Sequence, residues 1–370
     1  MNTHKEDERA FFLGVHRAMN ITMIRYKKFQ KFFGNNWKRI FNASLQDFQK
    51  ADIDGRGIET FFSNRDKVDP EKEWKLLQQC QARILIYGQA GYPISLQNIP
   101  SPPAVLFVRG EIKNSDFPSI SVVGSRRISS YGRRVVEHIV GEIAQSGITI
   151  VSGLALGTDM LAHQEALRNN ARTIGILGSG IDRITPIQHR KFAEKFLDEG
   201  RGAIVSEYLP GVEPRPEHFP VRNRLIAGIS RATVVIEAAE RSGSLITANL
   251  ALEQGRDTFA VPGEIFSKNS AGTNQLLLEG TASPALSGLQ ILQHLNLGDI
   301  PFQKKIQRDI QPTGIEAEIL ELFGAENRMH INDLMQKSSL PASTISSNIA
   351  LMEIKGMIQN IGNQIYVKNV

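Results

Sequence analysis

Between residues 119 and 263, short apolar runs alternate with longer amphipathic ones. ISVVG precedes GRRVVEHIVGEIAQSG, ITIVSG precedes DMLAHQEALRNN, and TIGILGSG precedes QHRKFAEKFLDEG. AIVSEY leads through a loop to VRNRLIAGIS, TVVIEA leads to SLITANLALEQG, and DTFAVPG closes the series. In the first long run Val135, Val136, Ile139, Val140 and Ile143 fall on one helical face. The short runs are nearly all apolar, as strands covered on both faces must be. Strands separated by helices in this way predict an α/β fold built on a doubly wound, mostly parallel sheet.

The flanks follow other patterns. LGVHRAMNITMIRYKKFQKFFG and WKRIFNASLQDFQKAD carry apolar residues at three- and four-residue spacing, predicting a small helical N-terminal domain over residues 1–80. No clear Gly-x-Gly hairpin is expected between its helices. Pro100, Pro102 and Pro103 mark the change of character, and AVLFV after them reads as a strand of the core, residues 81–296. Residues 297–313 lack an apolar face and read as a linker. EAEILELF, INDLMQKS and STISSNIALMEIKGM, followed by IQNIGNQIYV, predict three helices and a two-stranded hairpin, a C-terminal winged helix over 314–370.

Composition narrows the picture. Of 370 residues, 41% are hydrophobic and 22% charged, as in ordinary globular chains of more than one domain. MNTHKEDERA has no apolar core for a signal peptide, and no run approaches a membrane span. The lone Cys80 rules out an intramolecular disulfide and a cysteine zinc site, so a reducing, cytoplasmic setting is expected. The net charge of +5 divides unevenly: 15 Lys+Arg against 11 Asp+Glu over 1–80, 24 against 21 over 81–311, and 4 against 6 over 312–370. A mildly basic body suits a nucleic-acid partner, and the acidic tail does not.

In open parallel sheets, ligands bind outside the carboxyl ends of the strands. Small residues crowd those ends here: Gly124 and Ser125, Gly153 and Gly157, Gly178 and Ser179, and Ser242, Gly243 and Ser244. Such loops admit a phosphate to the backbone. GSRRISSYG lacks the G-x-G-x-x-G spacing of a dinucleotide site, a P-loop is absent, and no histidine pair has metal-ligand spacing, so no cofactor is expected. His163, in a helix after the second glycine loop, either faces the site or packs.

Positive charge gathers at the same edge. Arg126 and Arg127 follow the first strand, Arg190 and Lys191 open the helix after GSGIDRITP, and Arg222, Asn223 and Arg224 are placed at the start of the VRNRLIAG helix. Helix macrodipoles disfavour cations at N-termini, and a local rule broken repeatedly at a ligand edge points to function. A row of such groups suits several phosphates in succession. Asp159, Asp182 and Glu207 read as caps or partners for the arginines, and nothing marks a nucleophile or a carboxylate pair. A binding protein rather than an enzyme is expected.

Taken together, SVVGSRRISSYG, IVSGLALGTDMLAHQEAL, GILGSGID, FPVRNRLIAGIS, VVIEAAERSGSLITANLALEQGR, FAVPG and GTNQLLLEGTA, in this order over residues 104–283, resemble the DNA-processing protein A (DprA/Smf) family. The resemblance implies a Rossmann-like core that binds incoming single-stranded DNA in natural transformation, dimerises, and helps load the RecA recombinase. By position it assigns DNA contact to Gly124, Ser125 and Arg126, to Arg190 and Lys191, and to the Arg222–Arg224 stretch. One departure stands out: Thr185 precedes Pro186 where the family usually has tyrosine. With only Tyr131, Tyr208 and Phe219 near the loops, phosphate contact is expected to outweigh base stacking, giving little sequence preference.

Two other readings compete. A nucleotide hydrolase of the "lonely guy" type would carry P-G-G-x-G-T-x-x-E, whereas RSGSLITANLALE has neither the paired glycines nor the glutamate at that offset. A ligand-sensing regulator acting through the winged helix would need cations on STISSNIALMEIKGM, which holds one lysine and one glutamate. A protein-contact or regulatory role suits that segment better.

Overall fold

The computed structural model describes residues 3–297, 312, 314–323, 328–354, 357–360 and 364–368. The chain divides into two compact units, Met1–Gln303 and Lys304–Val370. The linker expected at 297–313 lies outside the described residues apart from Leu297 and Pro312.

The larger unit is built on one sheet of nine strands: β1 (Ala82–Ile86), β2 (Val105–Gly110), β3 (Ser119–Val123), β4 (Thr149–Ser152), β5 (Thr173–Gly180), β6 (Gly202–Tyr208), β7 (Ala232–Val235), β8 (Asp257–Ala260) and β9 (Ser283–Pro284). Their spatial order is β1-β2-β6-β5-β4-β3-β7-β8-β9. From β6 to β9 every pair is parallel, and β1 and β2 add antiparallel strands at one edge. The order runs one way from β3 to β5 and the other way from β7 to β9. The switch point of the doubly wound sheet is therefore the β3–β7 boundary, where crevices open at the carboxyl edge.

Helices cover both faces. The N-terminal segment supplies α1 (Thr3–Met19), α2 (Met23–Phe33), α3 (Trp37–Phe41), α4 (Leu45–Lys50), α5 (Gly55–Asn64) and α6 (Pro70–Gln79). The rest are α7 (Ile94–Gln97), α8 (Ser130–Val135), α9 (Gly141–Gln145), α10 (Thr158–Arg168), α11 (Arg190–Asp198), α12 (His218–Ile229), α13 (Gly243–Glu253), α14 (Ala271–Leu278) and α15 (Gly288–His294). A π-turn, Val136–Val140, joins α8 to α9. Val136, Ile139, Val140 and Ile143 are buried there and Val135 is half-buried, the face the spacing predicts. On one side of the sheet these residues meet Ile120, Val122, Ile150 and Val234; on the other, Leu225 and Ile226 of α12 meet Val123, Val151 and Ile176.

The N-terminal helices share a hydrophobic core with the sheet edge, where Phe12, Phe29, Trp37 and Phe48 join Phe107, Phe196 and Ile204 in one cluster. His16 is part of that junction. Its Nδ1 accepts from the Ile21 N–H at 3.0 Å, and the backbone of Glu207, in β6, lies against the ring. Burial, helped by neighbouring Arg17, lowers its pKa to about 4, so the ring is neutral at ordinary pH. The connection between α4 and α5 is residues 51–54, and the sequence Gly55-Arg56-Gly57 forms the first turn of α5, with the Asp54 carboxylate accepting the Gly57 N–H at 2.7 Å.

The smaller unit runs α16 (Gly314–Leu322), β10 (Arg328–His330), α17 (Ile331–Lys337), α18 (Ala342–Ile354), β11 (Ile358–Asn360) and β12 (Ile365–Lys368), with strand order β10-β12-β11, all antiparallel. Ile319, Leu334, Ile345, Ile349 and Met352 form its own core. Ser343, Ser346, Ser347 and Leu351 are exposed along α18, which contains no basic residue.

Candidate nucleic-acid interface

A cleft of ≈ 650 Å³ opens at the switch point, between the loops that follow β3 and β7. Gly124, Ser125, Arg126 and Arg127 form one wall; Ser242, Gly243 and Ser244, opening α13, form another; Phe219, Arg222 and Asn223 of α12 close it. Nine of the residues proposed from sequence thus converge there.

The β3 loop is held from several directions. Ser125 Oγ accepts the Arg127 N–H at 3.1 Å, turning the chain back on itself. The Ser125 carbonyl accepts the Thr158 N–H at 3.1 Å and the Thr158 hydroxyl at 3.2 Å. That approach depends on Gly157, whose φ is +76° and where a Cβ would lie 2.3 Å from the Ser125 oxygen. Beyond the arginines, the Ser129 N–H donates to the buried Glu237 carboxylate at 2.9 Å, and Ser129 Oγ caps the Gly132 N–H at 3.0 Å. Asn269 donates to the Arg127 carbonyl at 3.1 Å. Arg126 and Arg127 therefore project from a braced backbone. Both are exposed, and neither has an ion pair among the described residues. The Arg126 guanidinium lies 5.7 Å from the centroid of the Phe219 ring.

Arg222 has a different fate. It is 5% exposed and sits in the second turn of α12, since that helix begins at His218 and not at Val221. Its guanidinium donates to the Gly153 carbonyl at 2.8 Å and to the Ile176 carbonyl. Gly153 is needed for this, because a Cβ there would meet the guanidinium at 2.7 Å. Asp159 faces it, accepting the Gly153 and Ala155 N–H groups at 3.1 and 3.2 Å. Burial pushes the Asp159 carboxyl up while Arg222 opposes that, and burial lowers the Arg222 pKa to about 10. Arg224 is also engaged, donating to both carboxylate oxygens of Glu207 at 2.5 and 2.6 Å. Arg222 and Arg224 thus do not form a cationic helix start; carbonyls and a carboxylate occupy them.

The other proposed residues also separate. Ser179 is buried and donates to the Arg183 carbonyl at 2.6 Å, and Gly178 packs against Phe219. Arg190 and Lys191 do open α11, exposed, with Arg190 3.8 Å from Glu194. They line a separate shallow groove that shares no residue with the cleft. His163 packs: it is fully buried, Nδ1 lies 2.6 Å from the Thr173 hydroxyl, and burial lowers its pKa to about 3. Asp182 accepts the Gly211 N–H at 2.8 Å in the turn after β6, and its carboxylate lies 3.9 Å from Arg183. Sequence reasoning left Ile246, Thr247 and Asn269 out of the site. Ile246 and Thr247 lie one helical turn beyond Ser242–Ser244, so the 3.6-residue period could have found them; nothing local marks Asn269.

In sum, the cleft offers two unpaired guanidinium groups, small-residue backbone and the positive end of α13, the apparatus of an anion site on a doubly wound sheet. The fold is that of a Rossmann-like, doubly wound core. The model for DNA recombination-mediator protein A matches residues 83–296, and the chain belongs to that family, also called DprA/Smf. Protein Smf of Synechocystis is 31% identical over 95% of this chain and 96% of its own, and DNA processing protein DprA of Streptococcus pneumoniae is 41% identical over 54% and 70%. The X-ray structure of the S. pneumoniae protein covers 77% of this chain and 97% of its own, with TM-score 0.67 and 32% identity. That of DNA processing protein A from Helicobacter pylori, described for its single-stranded DNA binding mode, covers 58% and 96%, with TM-score 0.53 and 29% identity.

Proposed function

We propose that this chain is a single-stranded DNA-binding recombination mediator, acting by holding the strand rather than by chemistry. The observation that carries this reading is the pair Arg126 and Arg127, exposed and without ion pairs among the described residues, on a braced loop at the switch point. Phosphates passing along the cleft would meet guanidinium groups that need no rearrangement, and DNA affinity is dominated by such contacts. Asp159 is the sole acid among the cleft's lining residues; it is tied to two backbone N–H groups and to Arg222, which argues against a role as general acid or base. On this reading the protein protects incoming DNA in natural transformation and helps load a RecA-type recombinase, as a homodimer through the Rossmann-like core. The smaller unit, without basic residues on α18, is assigned a protein-contact role.

The test is fluorescence anisotropy of labelled oligo-dT at two salt concentrations with duplex competitor. Each single-strand phosphate neutralised contributes about −0.7 to the slope of log K against log salt. A slope of several such increments, with weak competition by duplex, is expected. Absence of binding at low salt, together with turnover of a nucleoside monophosphate, would establish the hydrolase reading instead.

A further inference from the structure

Residues 261–270 join β8 to α14, and the stretch 263–270 within this loop is fastened near both ends. The Gly263 N–H donates to the Asn274 side-chain oxygen and the Gly263 carbonyl accepts from the Asn274 amide, each at 3.0 Å. At the far end, cleft-lining Asn269 donates to the Arg127 carbonyl at 3.1 Å. Between these anchors the Ser267 N–H donates to the Glu264 carbonyl at 3.0 Å, closing a turn with Ile265 and Phe266 at its corners.

Turn corners ordinarily carry Pro, Gly, Asn, Asp or Ser. Here they carry two large apolar side chains, 81% and 87% exposed, and Phe266 is the most exposed large apolar side chain among the described residues. A single exposed apolar residue is common. An adjacent pair on a braced turn, tied to a cationic cleft, marks an interaction surface.

We infer that Phe266 is a stacking platform for a base of the strand held in the cleft, with Ile265 as its apolar flank. This rests on the single-strand reading above. Single-strand sites combine cations that track phosphates with aromatic faces on which bases stack. Phe219, the aromatic inside the cleft, already faces the guanidinium groups of Arg126 and Arg222 at 5.7 and 5.9 Å. Phe266 is three residues from Asn269, so at most roughly 11 Å of chain separates it from the cleft wall. Exposed Lys268 lies between them and offers a cation for the adjoining phosphate. Because the turn is closed and anchored, little ordering entropy opposes stacking.

The experiment compares wild type, Phe266→Ala and Phe266→Trp by oligo-dT anisotropy at two salt concentrations, with intrinsic fluorescence and sedimentation. Phe266→Ala should weaken binding on the order of tenfold with the salt slope unchanged, because a stacking contact is lost and no phosphate contact is. Phe266→Trp should keep its affinity, and its added emission should be quenched on saturation with oligonucleotide. Wild-type affinity in Phe266→Ala, or unmoved emission in Phe266→Trp, overturns the inference. So does a changed oligomeric state in Phe266→Ala, which would make a second copy the occupant of the turn. Failure of wild type to bind oligo-dT overturns the single-strand reading itself, before any variant is compared.

Discussion

Arg126 and Arg222 line the same cleft and share the Phe219 ring, yet they do opposite work. Arg126 is exposed on a loop whose backbone is held by Ser125, Thr158 and Asn269. Arg222 is buried beneath it, bonded to the carbonyls of Gly153 and Ile176 and facing Asp159. One is available to a ligand; the other bridges Gly153, just past the end of β4, to Ile176 in the middle of β5. Positive charge at a ligand edge is therefore two populations, and only partner geometry separates them.

The comparison is broken most severely by Arg222→Ala. It leaves the buried Gly153 and Ile176 carbonyls without their donor and Asp159 without its neighbouring cation, and a buried polar group left unsatisfied costs about 1–3 kcal/mol. Denaturant unfolding should show a loss of that order, whereas Arg126→Ala should leave unfolding within about 0.5 kcal/mol of wild type, as surface substitutions do. Equal effects on stability would erase the distinction.

Acid should expose the buried population next. His16 and His163 have folded pKa values of about 4 and about 3, below the ordinary 6.5, so the unfolded chain takes up protons first. Their contribution is complete above pH 6.5 and declines as pH falls toward the folded values, by about 1.4 kcal/mol per unit for each ring. Between pH 7 and pH 5 the larger unit should lose about 2 kcal/mol per histidine. His16→Gln should remove one share, and a variant with undiminished acid sensitivity would contradict the burial account.

A smaller effect concerns the second surface. Arg190 and Lys191 lie outside the cleft, so Arg190→Ala with Lys191→Ala should leave binding of an oligonucleotide that fills only the cleft unchanged and reduce the salt slope for longer strands by up to about 1.4. Loss with the short oligonucleotide would merge the two surfaces. Smallest of all, removing residues 312–370 should change single-strand affinity less than twofold in anisotropy titrations, since α18 carries no cation.

Much of this fold was legible because burial on both faces writes an apolar strand plainly, as in SISVV of β3 and TIGILGSG of β5, every residue of which is buried. β1 and β9 left no such trace. ARILI is an edge strand with mixed burial, and Ser283–Pro284 is only two residues long. α12 begins at His218, ahead of Pro220, because proline is tolerated within a first turn and so does not mark where a helix starts. At the site, the glycine loops were visible in sequence and the fate of each arginine was not. Arg222 finds its carbonyl partner 69 positions away and Arg224 its carboxylate 17 away, separations on which local spacing is silent. Similarly, Gly153 and Gly157 admit an arginine and a carbonyl of this chain, a role that a glycine count cannot distinguish from admitting a phosphate.

The most direct test of the central claim is the salt dependence of oligo-dT binding by wild type and by the double variant Arg126→Ala, Arg127→Ala. If these two side chains hold phosphates, the slope of log K against log salt becomes shallower by about 1.4 while thermal unfolding is unmoved. An unchanged slope in a variant that remains folded would place the phosphates elsewhere and contradict the account.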